Sequence, residues 1–235
     1  MGNVVVGIHQ PNFMPWIGYF LKIWRSDIFI FLDDVQFQKT GSNYTNRVSL
    51  NINGKSVYFT VPVKRKEGYW NINETEFADN KWKKKLIATL QSNYAKAPFF
   101  KNYKDFIFEL INYNASNLAD YNINFIKNVS NELGFNVKFI RSSDLNVKTN
   151  STQRLVDLIK RVGGNVYLSG KGGDNYQDHK LFEKENIMLI YNEIPNIEYG
   201  QLKTEKFIPG LSVIDIIFNI GFEEIKNKFL KKVFN

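Results

Sequence analysis

The chain has 235 residues, 43% hydrophobic and 23% charged, enough apolar material for a sizeable core, which excludes a disordered or fibrous protein. It contains no cysteine, so disulfides, thiolate metal sites and cysteine nucleophiles are excluded together, and its two histidines, His9 and His179, lack the spacing of a helical zinc pair. Lys and Arg number 31 against 23 Asp and Glu, and the resulting net charge of +8 favours an anionic partner.

Val4–Ile8 is a branched apolar run too short for a helix and reads as a strand. Pro11 and Pro15 interrupt it, Trp16–Ile23 carries helical spacing, and Ile28–Leu32 reads as a second buried strand. This is the outline of a βαβ unit, which belongs to a parallel sheet and binds ligands beyond the carboxyl ends of its strands. Arg47–Ile52 and Val57–Val61 alternate around Asn53-Gly54, a dipeptide suited to a tight hairpin turn. Three helical stretches follow over Lys81–Tyr94, Lys101–Tyr113 and Leu118–Leu133, a candidate helical subdomain at about 79–133. Alternation then resumes with strand Val137–Ile140, helix Thr152–Val162 capped by Ser151 or Thr152, strand Val166–Leu168, helix Asp178–Glu185 and strand Met188–Tyr191. Val213–Ile220 and Glu223–Val233 close the chain as helices, with Ser212 as a cap. The expectation is one α/β domain over 1–235, a Rossmann-like, mainly parallel sheet with an inserted β-hairpin and a helical insertion. No basic leader and no run of about 18–20 apolar residues is present, so a cytoplasmic protein without membrane insertion is expected. The densest basic run, Lys81, Lys83, Lys84 and Lys85, reads as a solvated helix face, and with no reader motif present a nucleic-acid partner is not expected.

Chemistry can reside in three places. The loop His9-Gln10-Pro11-Asn12-Phe13-Met14-Pro15-Trp16 holds polar groups at a rigid strand end, where His9 can serve as acid or base, donate to a phosphate, or simply tie the loop to a backbone carbonyl. Asp33 and Asp34 end the next strand and can orient His9, accept from a substrate, cap a turn or, as the less favoured reading, bind a divalent cation; Asn46 and Arg47 follow, the latter a candidate phosphate clamp. Ser169, Gly170, Lys171, Gly172, Gly173 and Tyr176 form a glycine-rich segment after an apolar strand, which can be an anion nest or a ligand-free turn. Near the carboxyl end, Ser212 and Asp215 mark a polar entry to an apolar helix, with Ser212 favoured as a cap over a nucleophile. No metal site is expected.

At these clusters the sequence resembles the WbqC-like family, associated with bacterial O-antigen and other surface-polysaccharide loci. The resemblance rests on IHQPNFMPWIGYFLKI, DIFIFLDDVQFQK, Asn46-Arg47, Thr60–Val63, YLSGKGGDNY and KFIPGLSVIDIIFNIG. It departs at Gly210, where asparagine is common, and at Lys203, near where a histidine often stands. The opening also resembles a diverged nucleotidylyltransferase start, with Trp16-Ile17-Gly18-Tyr19 in place of its His-x-Gly-His element. The resemblance implies a role in glycan biosynthesis, and the expected activity is acyl or aminoacyl transfer to a nucleotide-linked amino sugar. His9 and Asp33 would be catalytic. Gln10, Asn12, Trp16, Asp34, Asn46, Arg47, the glycine-rich segment, Ser212 and Asp215 would bind substrate. The donor would be a thioester of coenzyme A or of an acyl carrier protein, with no tightly bound cofactor. The alternatives are nucleotidyl transfer and noncatalytic binding of a nucleotide sugar.

Overall fold

A computed structural model of the chain describes residues 2–40, 44–172 and 177–230. The opening forms strand β1 (Val5–His9), helix α1 (Ile17–Trp24) and strand β2 (Ile28–Phe31), followed by the hairpin strands β3 (Arg47–Ile52) and β4 (Lys55–Thr60). Helices α2 (Lys81–Tyr94), α3 (Phe100–Asn112) and α4 (Leu118–Glu132) come next. Then follow β5 (Lys138–Arg141), α5 (Ser151–Arg161), β6 (Val166–Ser169), α6 (His179–Lys184), β7 (Met188–Tyr191) and α7 (Val213–Ile225).

Five strands form one sheet in the order β5-β2-β1-β6-β7, every pairing parallel. This is a Rossmann-like α/β arrangement, with β1 central and the strand order reversing between β1 and β6. One face of the sheet packs Val6, Ile8, Ile28, Ile30 and Tyr167 against Val156 and Ile159 of α5. On the other face, Phe29 and Phe31 meet Phe20 and Ile23 of α1 in a cluster continuing through Leu86, Leu90, Ile107, Phe125 and Phe218. The helices expected to form a subdomain thus share their core with the sheet, because their apolar faces turn toward α1 and α7.

The hairpin starts its second strand two residues earlier than the sequence pattern implied. Asn53 and Gly54 both take positive φ (51° and 78°), so the turn needs only these two residues and Ile52 pairs with Lys55. Neither Ser151 nor Thr152 caps α5: Asn150 occupies that position, and Thr152 Oγ1 accepts a hydrogen bond from the Asp178 amide at 3.0 Å. Ser212 does cap α7, its hydroxyl accepting from Ile214 N at 3.3 Å. The two expected tail helices are present within the span of α7, parted at Gly221, whose φ of 76° is non-helical; the expected end of the second, Val233, lies outside the described residues. Among the described residues no helix is long and apolar enough to cross a membrane.

Candidate functional site

The β1–β2 ladder continues to His9↔Phe31, whereas the β1–β6 ladder stops at Gly7↔Leu168. The strands therefore part at their carboxyl ends, at the point where an open α/β sheet forms its crevice. The first carbonyl beyond the shorter ladder, Ile8 O, accepts from Lys22 Nζ at 2.7 Å. Lys22 lies on α1, a helix buried from Ile17 to Ile23, and is only 4% exposed. That burial lowers its ammonium from 10.5 to about 7.

His9 follows on the same strand. Its Nδ1 lies 3.0 Å from Gln10 O, and the ring sits edge-on to Tyr19 with centroids 4.9 Å apart. Burial, with the nearby Lys22 charge adding to it, lowers the imidazole from 6.5 to about 4, so the ring is neutral near pH 7. A carbonyl can only accept, so Nδ1 carries the proton and Nε2 the lone pair. His9 is thus a fixed tautomer whose second nitrogen is a hydrogen-bond acceptor and a weak base.

The loop from Gln10 to Trp16 is held from several sides. Tyr19 Oη donates to Gln10 O at 2.9 Å, and the buried Asn122 of α4 donates both to Pro11 O (2.8 Å) and to Thr45 O (2.7 Å). Phe13 N donates to Tyr44 O at 2.9 Å, and Ser212 Oγ to Met14 O at 2.8 Å. Val213 N reaches Pro15 O and Ser212 N reaches Ser49 O, each at 2.9 Å. Three distant segments, the β1–α1 loop, the hairpin and the start of α7, are knitted together around one space. Gly18 lets the Trp16 indole lie against the helix, because a Cβ there would fall well inside van der Waals contact of the ring and force it to shift.

The enclosed space is a cavity of about 520 Å³ lined by His9, Asn12, Trp16, Tyr44, Arg47, Ser49 and Pro209, among others. Arg47 also lines a second cavity of about 720 Å³ with Lys39, Asn46, Arg65, Lys66 and Trp70, and no carboxylate occurs among its lining residues. The Arg47 guanidinium stands 4.6 Å from the Tyr58 ring centroid. Trp16 and Pro209 reappear in a third groove of about 560 Å³ with Ile194, Ile197 and Phe207.

The structure therefore brings His9, Asn12, Trp16 and Arg47 into one cavity and puts Asn46 in its neighbour, while Gln10 contributes a backbone carbonyl that fixes His9 and Tyr19. Asp33 lies apart. It is fully buried, and its carboxylate accepts from Ser143 Oγ (2.9 Å), Ser143 N (3.1 Å) and Ser142 Oγ (3.2 Å). Asp34 is ion-paired with Arg154 at 2.6 Å and accepts from Ser142 Oγ. The two acids thus join β2, β5 and α5, and neither orients His9. This assigns Asp33 to structure in place of the proton transfer foreseen for it, since each carboxylate oxygen is already engaged.

Ser169 is 1% exposed and bonds to Gln177; Gly170, Lys171 and Gly172 line none of these three cavities, and Gly173 and Tyr176 lie outside the described residues. Ser212 and Asp215 are completely buried beneath the site. Asp215 accepts from Tyr199 Oη at 2.8 Å and from Tyr94 Oη at 2.9 Å, and burial raises its carboxyl above the ordinary range. They support the cavity floor and do not line it. In the nucleotidylyltransferase comparison, the positions of the two missing histidines are a cavity wall, Trp16, and a loop tie, Tyr19.

Sequence reasoning missed Lys22 and the Arg65-Lys66 side of the second cavity. A lysine four residues after Gly18 on an otherwise apolar helix was a readable signal for the first. The second depends on the chain from Val61 to Trp70 folding back over the hairpin, which no local pattern encodes.

The sequence model of the WbqC-like protein family matches residues 10–227. The uncharacterized protein Rv1507c of Mycobacterium tuberculosis (strain ATCC 25618 / H37Rv) is 29% identical over 221 residues, covering 93% of this chain and 94% of that protein. No solved structure matches the chain.

Proposed function

Because the chain belongs to the WbqC-like protein family, we propose that it transfers an acyl or aminoacyl group to the amino nitrogen of a nucleotide-linked amino sugar in bacterial surface-glycan biosynthesis. The observation that carries this reading is the fixed, neutral His9 facing the same cavity as Arg47. A hydrogen-bond acceptor for an amine and a cation for the anionic part of its substrate share one enclosure.

In this reading the neutral amine attacks the carbonyl carbon of a thioester. The C–N bond forms, the tetrahedral adduct expels the thiolate, and the amine proton leaves to yield an amide and a thiol. His9 is a weak base, so it receives the proton only after attack, when the nitrogen has become a strongly acidic ammonium. Asn12 and Trp16 orient the sugar, and Arg47 holds its negative end. Lys22 acts on His9 through its charge and touches no substrate.

Purified protein incubated with nucleotide-linked amino sugars and a panel of acyl and aminoacyl thioesters should yield an amide detectable by mass spectrometry. No amide across a broad donor panel, with tight retention of the nucleotide sugar, would instead support the noncatalytic reading. The low basicity of His9 is the observation that favours that second reading.

A further inference from the structure

We infer that the cavity lined by Lys39, Arg65, Lys66 and Arg47, and not the glycine-rich segment, is a diphosphate-binding site. It deepens the reading above by locating the anionic half of the substrate, and it stands or falls separately from the transfer step.

Four cations line one cavity of about 720 Å³, and among the described residues lining it none is acidic. Such a concentration of like charge repels itself unless an anion occupies it. Among the described residues, Lys39, Arg65 and Lys66 form no salt bridge with a carboxylate. Lys39 Nζ donates to Gly68 O at 2.8 Å while standing 4.4 Å from the Trp70 ring centroid, and Lys66 Nζ donates to Glu74 O at 2.7 Å. Glu76, whose carboxyl feels Lys66, is already paired with Lys64 at 2.7 Å. Cations held by carbonyls and an aromatic face keep their charge available while losing side-chain freedom, which is the preorganisation an anion site requires. Trp70 is itself fixed, being 4% exposed and stacked on Phe37 at 5.9 Å.

Placement agrees with charge. Arg47 forms a wall of both cavities, so a diphosphate bound beside Lys39 and Arg65 sits one side chain away from the space that His9 lines. At the glycine-rich segment the described residues supply one exposed lysine, Lys171, and line none of the cavities at the sheet edge. A nucleoside diphosphate reaching across Arg47 would present its sugar to His9, and inorganic pyrophosphate contains the same recognised group.

The test is calorimetric titration of the full chain with inorganic pyrophosphate and with a nucleoside diphosphate at fixed ionic strength. Three variants are compared with the wild type: Lys39→Met with Arg65→Met, Lys171→Ala, and Lys81→Met with Lys84→Met as a control that removes the same charge from the α2 surface. The first should weaken both ligands at least tenfold, and the other two should change affinity less than twofold. The exposed positions of Lys39 and Arg65 leave the fold intact, which circular dichroism checks. Loss of affinity in Lys171→Ala with the first variant unaffected overturns the assignment, as does equal weakening by the α2 control. A short RNA binding far more tightly than either diphosphate, through the same residues, also overturns it. If the wild type binds diphosphate as described but forms no amide, the transfer reading fails and this site stands.

Discussion

Replacing Lys22 by methionine keeps the length of the buried stem and removes its charge, and the consequences can be worked out. The folded-state value of about 7 lies below the 10.5 of an ordinary lysine. Between these two pH values the unfolded chain binds more protons than the folded one, so stability rises with pH across that window. By linkage, the group destabilises the fold by about 4 kcal/mol at pH 7 and by about half that at pH 9. Methionine removes that penalty but offers no donor to Ile8 O, and an unsatisfied buried carbonyl costs about 1–3 kcal/mol. Lys22→Met should therefore be more stable than the wild type by about 1–3 kcal/mol at pH 7, and that advantage should shrink by about 2 kcal/mol at pH 9. Urea unfolding at pH 7, 8 and 9 measures both. The same variant removes the second cause of the His9 shift, so the His9 imidazole should titrate above its present value of about 4, moving toward 6.5. The protein has only two histidines, which makes the NMR titration readily assignable. Parallel stability curves for the two proteins, with His9 titrating unchanged, would refute the reasoning.

His9 has its folded-state value below its unfolded one, so it contributes stability above pH 6.5 that is lost as the pH falls toward 4, in total about 3 kcal/mol. His9→Ala should flatten acid unfolding over that window and lower amide formation at least about a hundredfold, the usual scale for an acid–base group, with diphosphate affinity retained; unfolding curves, turnover and calorimetry report the three effects. Gly18→Ala should displace the Trp16 indole, shift its fluorescence and destabilise the fold by about 1–3 kcal/mol, since the added methyl has no room. An unchanged melting temperature and emission spectrum would show that the indole does not pack as described. Asp33→Asn should lower stability by about 1–3 kcal/mol through the weakened bonds from Ser142 and Ser143, and leave turnover within threefold under conditions where the protein is folded. Lost turnover at unchanged stability would return Asp33 to the reacting centre.

Much of the scaffold was legible because periodicity and turn chemistry are local. Met188–Tyr191 and Lys81–Tyr94 have the bounds their patterns implied, and Asn53-Gly54 specified the hairpin through the φ values it tolerates. The site was legible only where one segment carried it. His9, Asn12 and Trp16 belong to a single short segment stiffened by Pro11 and Pro15, so their grouping could be read directly. Asp33 and Arg47 are equally polar and equally close to strand ends, yet their fates differ. Ser142 and Ser143, more than a hundred residues away, saturate Asp33, whereas the hairpin aims Arg47 between two cavities. The glycine-rich segment was attractive for its backbone freedom, but an anion site also needs neighbouring cations, and of its described residues only Lys171 is one, whereas Lys39, Arg47, Arg65 and Lys66 line a single cavity.

The account depends most on the space between His9 and the hairpin being where substrate sits. A crystal structure of the protein with a nucleotide-linked amino sugar tests this directly. The sugar amine is predicted beside His9 Nε2 with the diphosphate between Arg47, Lys39 and Arg65. Density for the ligand over Ser169–Gly172, with the His9 cavity filled only by water, would contradict it.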